Sequence, residues 1–304
     1  MNRRSPTTRK RNGKRIEITD RDVAIFSALT RYRYLRSTYV HAFAGGASKK
    51  RFQERLGHLF HEGFLGRPRQ QWRFADARYT PAVYEIDKCG AQALAERQAS
   101  ETPPATFLAS GQHIQFEHSQ LVCSALASIE LASRNRPDLR FIAWPEILAK
   151  APEETRRAAL PQRLSLGSEH LIPDAIFGLE YRVEDKRSYR FFALEIDRAT
   201  MPITRAAGRQ TSLGRKLNAY RQVISQQLYK SVWGVPNLVV LFLTTSERHL
   251  ANGLRAIDPG WPETPAFLFK RIDPDALREP SNSLLGLPWA RSGQTPMTIA
   301  DAQG

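Results

Sequence analysis

The run Leu238, Val239, Val240, Leu241, Phe242, Leu243 sets the strongest limit on what this chain can fold into. Six consecutive apolar residues have no polar side to offer water, so a strand made from them must be covered on both faces. Such a strand belongs inside a layered sheet, and the flanking sequence supplies its neighbours. Strand-like apolar runs occupy Leu139 to Leu148, with Phe141, Ile142 and Trp144; Leu171 to Leu179, with Ile172, Ile176 and Phe177; and Tyr189 to Ile196, with Phe191, Phe192 and Leu194. A helix is predicted from His113 to about Arg134, and a Lys- and Arg-bearing helix from Leu213 to Tyr229. The expected order over residues 113–278 is helix, three strands, helix, strand.

Two acids interrupt these apolar runs: Asp174, just after Pro173, and Glu195, between Leu194 and Ile196. A buried carboxylate is costly unless something pairs with it. One partner is a divalent cation: Asp174 and Glu195 would hold Mg²⁺ beside a phosphate, where it polarises a phosphoryl oxygen and activates water. The other account has Asp174 capping a turn while Glu195 or Asp197 pairs with Arg198, Arg205 or Lys216. The residues alone leave both open.

The first hundred residues have a different character. The net charge of the whole chain is +15, and this stretch holds 21 Lys and Arg against nine Asp and Glu. Clustered cations of this kind mark a polyanion-binding surface, because they release counterions condensed on nucleic acid. Residues 1–17 carry Arg3, Arg4, Arg9, Lys10, Arg11, Lys14 and Arg15 around Pro6 and Gly13, and are expected to be a flexible basic arm. Thr19, followed by Asp20 and Asp22, predicts a helix start, with Val23, Phe26 and Leu29 on its inner face. A second short helix spans Ser37 to Phe43, with Val40 inward, and stops at Gly45 and Gly46. Ser48 caps a third, with Phe52, Leu56, Leu59 and Phe60 as its buried stripe, ending at Gly63.

The opposite face of that third helix concentrates Lys49, Lys50, Arg51, Gln53 and Arg55 in its first two turns. A recognition helix keeps its donors there, since its N-terminal part enters the major groove, where Arg and Lys read guanine and Gln reads adenine. Arg67, Arg69, Gln70, Gln71 and Arg73 follow, then a strand-like stretch at Ala82 to Ile86, which together predict a hairpin wing with a basic tip. Lys88 to Arg97 closes the domain as a short helix. The expectation is a winged helix-turn-helix over residues 18–99, a linker over 100–112, and an irregular tail over 279–304.

Other chemistries find little to work with. Cys89 and Cys123 make neither a disulfide framework nor a metal knuckle, which fits a reducing compartment. No apolar run reaches the roughly 18 to 20 residues needed to span a bilayer. The seven histidines are scattered, and no phosphate-cradling Gly-rich loop with a following Lys is present. A cytoplasmic protein is therefore expected. Tyr32, Tyr34, Tyr79, Tyr84 and Tyr220 have no feature that separates a covalent nucleophile from a core aromatic.

Several short motifs, in order, resemble the replication-relaxation family of plasmid and mobile-element proteins: Thr19-Asp20-Arg21-Asp22, Tyr32-Arg33-Tyr34-Leu35, Arg55-Leu56 with Gly63-Phe64-Leu65, Pro173-Asp174-Ala175, Leu194-Glu195-Ile196-Asp197-Arg198, and Lys216-Leu217 with Ala219-Tyr220. The resemblance covers about Ile18 to Thr244 and implies a winged helix joined to a nuclease-like half. The second half also resembles the PD-(D/E)XK nuclease core, an αβββαβ arrangement in which Asp174 would match the first acid and Glu195 the second. It departs from that pattern at Asp197, where a lysine is expected. Lys216 is the candidate replacement, and Glu117 or Glu146 a candidate further acid.

The fold class expected is thus a two-domain α+β or α/β protein. The function expected is binding of double-stranded DNA of a plasmid or integrated element, in its replication, relaxation or transfer. Two other readings stand beside it: a metal-dependent endonuclease using Asp174, Glu195 and Lys216 with Mg²⁺, and a winged-helix transcriptional regulator. A second copy of the chain and replication or relaxase proteins are further candidate partners.

Overall fold

The computed structural model describes residues 5, 7–11, 13, 16–46, 48–73, 76–77, 79–98, 116–198 and 212–301. The expected linker at 100–112, Arg205, and part of the basic arm, including Arg3, Arg4, Lys14 and Arg15, lie outside them. The fold is a mixed α+β one, and contacts divide the chain into two compact units. One gathers residues 1–107, 114–127 and 277–280; the other gathers 108–113, 128–276 and 281–304. Among the described residues no helix is long and apolar enough to cross a membrane.

In the first unit Thr19 opens helix α1 (Asp20–Tyr32) with a reciprocal cap: its hydroxyl accepts from the Asp22 amide, while the Asp22 carboxylate accepts from the Thr19 amide. Ile25, Phe26, Leu29 and Tyr32 recur at helical spacing and are fully buried. Strand β1 (Leu35–Arg36) leads into α2 (Ser37–Ala44), which buries Val40 and ends at Gly45. Ser48 caps α3 (Lys49–Glu62), whose buried stripe is Phe52, Leu56, Leu59 and Phe60. Gly63 stops α3 in a left-handed conformation, φ 92°, which a side chain would strain.

Strand β2 (Leu65–Gly66) follows, and β3 (Val83–Ile86) lies between it and β1 in a three-stranded antiparallel sheet. The ladder is short: Leu35 and Arg36 face Tyr84 and Val83, and Leu65 and Gly66 face Ile86 and Glu85. A 3₁₀ turn at Arg69–Arg73 joins β2 towards β3. The buried Gln71 amide pins that turn to the sheet, donating to the Pro68 and Val83 carbonyls and accepting from the Val83 amide. Helix α4 (Lys88–Gln98) comes next. The first part of α5 (Phe116–Arg134) completes the unit, with the Cys123 thiol donating to the Tyr32 carbonyl at 2.6 Å.

The second unit is built on a seven-stranded sheet. Strand β4 (Leu139–Ile142) is followed by helices α6 (Trp144–Lys150) and α7 (Glu153–Arg157) and by a separate hairpin, β5 (Leu164–Leu166) with β6 (Glu169–Leu171). Then come β7 (Ala175–Val183), β8 (Lys186–Asp197), α8 (Ser212–Ser225), α9 (Leu228–Trp233), β9 (Val239–Thr244), α10 (Glu247–Ala256) and β10 (Phe267–Arg271). A one-turn α11 (Ser283–Gly286) precedes β11 (Trp289–Arg291) and β12 (Gln294–Met297). The sheet order is β12-β11-β10-β9-β8-β7-β4. Strands β4, β7 and β8 are antiparallel neighbours; β8, β9 and β10 are parallel; β10, β11 and β12 return to antiparallel pairing. Strand β9 sits in the middle with Val240 to Leu243 buried, as its uninterrupted apolar sequence demands.

Three expectations need correction here. The strand expected from Leu139 to Leu148 stops at Ile142, because Pro145 presets the first turn of α6 and the buried Trp144 anchors it. The helix expected to run from Leu213 to Tyr229 breaks at Gln227, whose left-handed backbone (φ 54°) separates α8 from α9. The tail at 279–304, expected to be irregular, carries α11, β11 and β12. Its fully buried Trp289 donates an indole hydrogen bond to the Leu284 carbonyl, and Leu284, Leu285 and Ile299 are buried with it, so apolar anchors hold the tail.

Candidate functional site

Two places bring sequence-predicted residues together, and the first is the start of α3. Lys49, Lys50 and Arg51 occupy its first turn, all exposed, and among the described residues none of them makes an ion pair. Gln53 is exposed beside them. The helix has no acid in that turn, so three cations stand at the positive end of the helix dipole, a placement that costs about 0.3–1 kcal/mol per charge. Helix α1 shows the ordinary arrangement, with Asp20 and Asp22 in its first turn.

Arg55, expected to belong to this surface, does not. Its guanidinium grips the buried Asp22 carboxylate, Nε to Oδ1 at 3.0 Å and a terminal nitrogen to Oδ2 at 2.5 Å, and also donates to the Glu17 carbonyl at 2.7 Å. Burial pushes the Asp22 carboxyl up, but Arg55 and the Thr19 cap outweigh it and hold the group below the usual aspartate range.

Arg67 is likewise part of the fold. Its guanidinium stacks on Phe60 at 4.4 Å and on Tyr84 at 4.9 Å and donates to the Tyr84 hydroxyl. The expected basic wing tip is therefore reduced to Arg69, Gln70 and Arg73 on the exposed side of the 3₁₀ turn. The arm is not wholly free either. Arg9 donates to the Phe60 and Leu65 carbonyls and pairs with Asp87.

The second place is in the seven-stranded sheet. Asp174 and Glu195 sit opposite each other, one step beyond the Ala175–Leu194 pair of β7 and β8. Asp174 Oδ2 accepts from the Ile196 amide of β8 at 2.8 Å, a cross-strand contact rather than the cap of a turn. Glu195 is 2% exposed; one carboxylate oxygen is held by the Lys216 ammonium from α8 and the other accepts from the Tyr220 hydroxyl at 2.5 Å, one helical turn on. Lys216 is more than a third exposed, so the pair opens to solvent on one side.

Burial pushes the Glu195 carboxyl up to about 8, with the Asp174 charge adding to it and Lys216 and Tyr220 opposing. Burial alone would lower the Lys216 ammonium; Glu195, Asp174 and Asp197 outweigh it and leave it raised. The same burial, with Glu195 beside it, raises the Tyr220 phenol, a buried donor rather than a nucleophile. Glu146 is engaged elsewhere, by Arg140 and Lys150, and Glu117 lies on the part of α5 that belongs to the first unit.

The donor set does not fit a divalent cation as it is arranged. Both Glu195 oxygens are occupied by donors, an ammonium stands where a metal would, and among the described residues no group of three His, Cys, Asp or Glu converges. Asp197, at the position where a nuclease lysine was expected, turns its carboxylate to Nδ1 of His249 in the first turn of α10. The sequence reading missed His249. Its only local signal is its place just after a Ser246-capped helix start that follows the apolar strand β9.

The replication-relaxation family model matches residues 26–239, from within α1 to the start of β9. The chain belongs to the replication-relaxation family. No curated protein and no solved structure matches it.

Proposed function

We propose that the chain binds double-stranded DNA of a plasmid or integrated element through the start of α3, within the replication or relaxation of that element. The observation that carries this reading is the triplet Lys49, Lys50 and Arg51, exposed, without acids of its own, and set against the dipole of its helix. Residues that break a local rule without internal compensation serve an external partner, and a phosphate-lined groove is the partner that three cations and a glutamine fit. The order of three helices with a short antiparallel sheet supports a winged helix-turn-helix, with α3 as the recognition helix and Arg69 and Gln70 beside the sheet as phosphate contacts.

A gel shift on a mixed-sequence duplex tests it. Lys49→Ala, Lys50→Ala and Arg51→Ala together should weaken binding at least about tenfold at physiological salt and lower the log–log salt slope by about 2 to 3, about 0.9 per lost phosphate contact. An unchanged slope rules α3 out as the contact.

A second reading concerns the other unit. The order α5, β4, β7, β8, α8, β9 supports a nuclease-like αβββαβ core, and Asp174, Glu195 and Lys216 converge in it. A carboxyl displaced as far as that of Glu195 marks a place where proton chemistry is possible. We infer phosphodiester hydrolysis as the activity it would perform. Nicking of supercoiled plasmid should be present in the full-length chain and absent in Asp174→Ala; equal nicking by both removes Asp174 from the reaction.

A further inference from the structure

The parallel strands β8, β9 and β10 all end at the same edge of the sheet, which is where open α/β sheets bind ligands. Asp197 is the last residue of β8, and its backbone carbonyl accepts from Thr245, just past the end of β9. It lies on the same face of β8 as Glu195, two residues away, and its charge reaches Lys216. From α10, at the same edge, His249 meets it through Nδ1. The side chain of His249 is 14% exposed, and Nε2 has no hydrogen-bond partner among the described residues and is not one of the buried unpartnered atoms.

A carboxylate at Nδ1 fixes the proton on that nitrogen and leaves the Nε2 lone pair bare and aimed outward. A purely structural carboxylate–cation contact needs no bare second nitrogen; Asp22 and Glu180 are held by arginines instead.

We propose that His249, oriented by Asp197, is the proton acceptor of this site, taking a proton at Nε2 from the water that attacks a phosphodiester of nucleic acid. The water oxygen bonds to phosphorus as the bond to the leaving ester oxygen breaks. The proton held at Nε2 then passes to that oxygen, and the water's second proton remains on the new phosphate. The position is suited to the task because His249 is the more accessible of the two groups: Glu195 is 2% exposed and engaged on both oxygens by Lys216 and Tyr220. The inference rests on the hydrolysis reading of the second unit. Asp197 from β8 is the charged group that contacts the imidazole; Lys216 from α8 feels the Asp197 charge, and Arg271 of β10 pairs with Glu247 of the first turn of α10.

The experiment is the pH dependence of plasmid nicking by the full-length chain, its Asp174→Ala control and His249→Ala. Wild-type activity should rise with pH, as a reaction that needs a proton acceptor does. His249→Ala should lose that rise and about 100-fold in rate at neutral pH, with part of it restored by added imidazole. Duplex binding through α3 should stay intact, and an unfolding transition like that of the wild-type chain shows that the second unit of the variant is folded.

If His249→Ala nicks at the wild-type rate with the wild-type profile while Asp174→Ala is inactive, the role of His249 is overturned and hydrolysis stands. If the wild-type chain does not nick, both fail together. Nitrogen-15 spectra of the histidine ring give an answer independent of activity: Nδ1 protonated and Nε2 bare, an arrangement lost in Asp197→Asn, supports the pair, and the opposite tautomer overturns it.

Discussion

Asp22 and Glu195 are both almost completely buried, and each is held by a cation from a neighbouring helix, yet they behave in opposite ways. Asp22 collects donors on both oxygens: two from Arg55, and the amide and hydroxyl of Thr19. Its carboxyl falls below the usual range. Glu195 has one ammonium and one phenol, with Asp174 and Asp197 nearby, and its carboxyl rises to about 8. The difference teaches that burial with a counter-charge does not by itself decide the protonation state. How deeply the group lies, how many donors reach it and whether other acids stand near it decide it together, and Glu195 lies the deeper of the two. A fully satisfied carboxylate is a fastener; an under-supplied one among like charges is a place where protons can move.

The strongest way to break this comparison is Arg55→Met. It leaves a buried charge with only the Thr19 donors, and should destabilise the first unit by about 3–5 kcal/mol at neutral pH in denaturant unfolding. The pH dependence should change as well. Because the native Asp22 carboxyl is lowered, its contribution is complete above about pH 4 and fades as pH falls through the depressed native value. That acid limb should be present in the wild-type chain and flattened in Arg55→Met. A variant that unfolds like wild type across this range would show that the Asp22–Arg55 contact carries no weight.

Removing the Glu195 donors one at a time sharpens the contrast, with smaller effects. Lys216→Met should destabilise by about 1–3 kcal/mol, because Glu195 can take up a proton in place of the lost ammonium. Its cost should be smaller at pH 6 than at pH 9. The sign follows from the raised native value: the protonated carboxyl is favoured on folding, so its contribution is complete below about pH 4.3 and fades as pH rises through about 8. Tyr220→Phe removes a single hydrogen bond and should be the mildest, about 0.5–1.5 kcal/mol. Thermal or denaturant unfolding of the two variants at both pH values checks the order, and equal costs at pH 6 and pH 9 would contradict the assigned direction.

What was legible in the sequence follows from how local its cause is. The starts of α1 and α3 and the end of α3 are set by Thr19, Ser48 and Gly63, each acting within a few residues, and the structure places them as expected. The burial of β9 was legible because no residue in it tolerates water. Asp174 and Glu195 stood out for the complementary reason, as charges inside apolar runs.

The rest depended on partners distant in sequence. Nothing near Arg55 announces Asp22, 33 positions earlier, so a residue that closes the fold looked like one more cation on a basic face. The stacking of Arg67 was hidden in the same way, since Phe60 and Tyr84 come from α3 and β3. His249 lay on a helix that the sequence reading did not single out, and acquires meaning only once β8 delivers Asp197. The tail failed for another reason: Pro, Gly and Ser are scattered through it and break up the apolar residues, Leu284, Leu285, Trp289 and Ile299, that anchor it.

The grip of Arg55 on Asp22 has a consequence for how α3 would meet a duplex. It rivets the middle of that helix to the head of α1, so the three free cations one turn earlier project from a beam already fixed in direction. Little orientational freedom is left to surrender on docking, and more of the attraction survives as affinity.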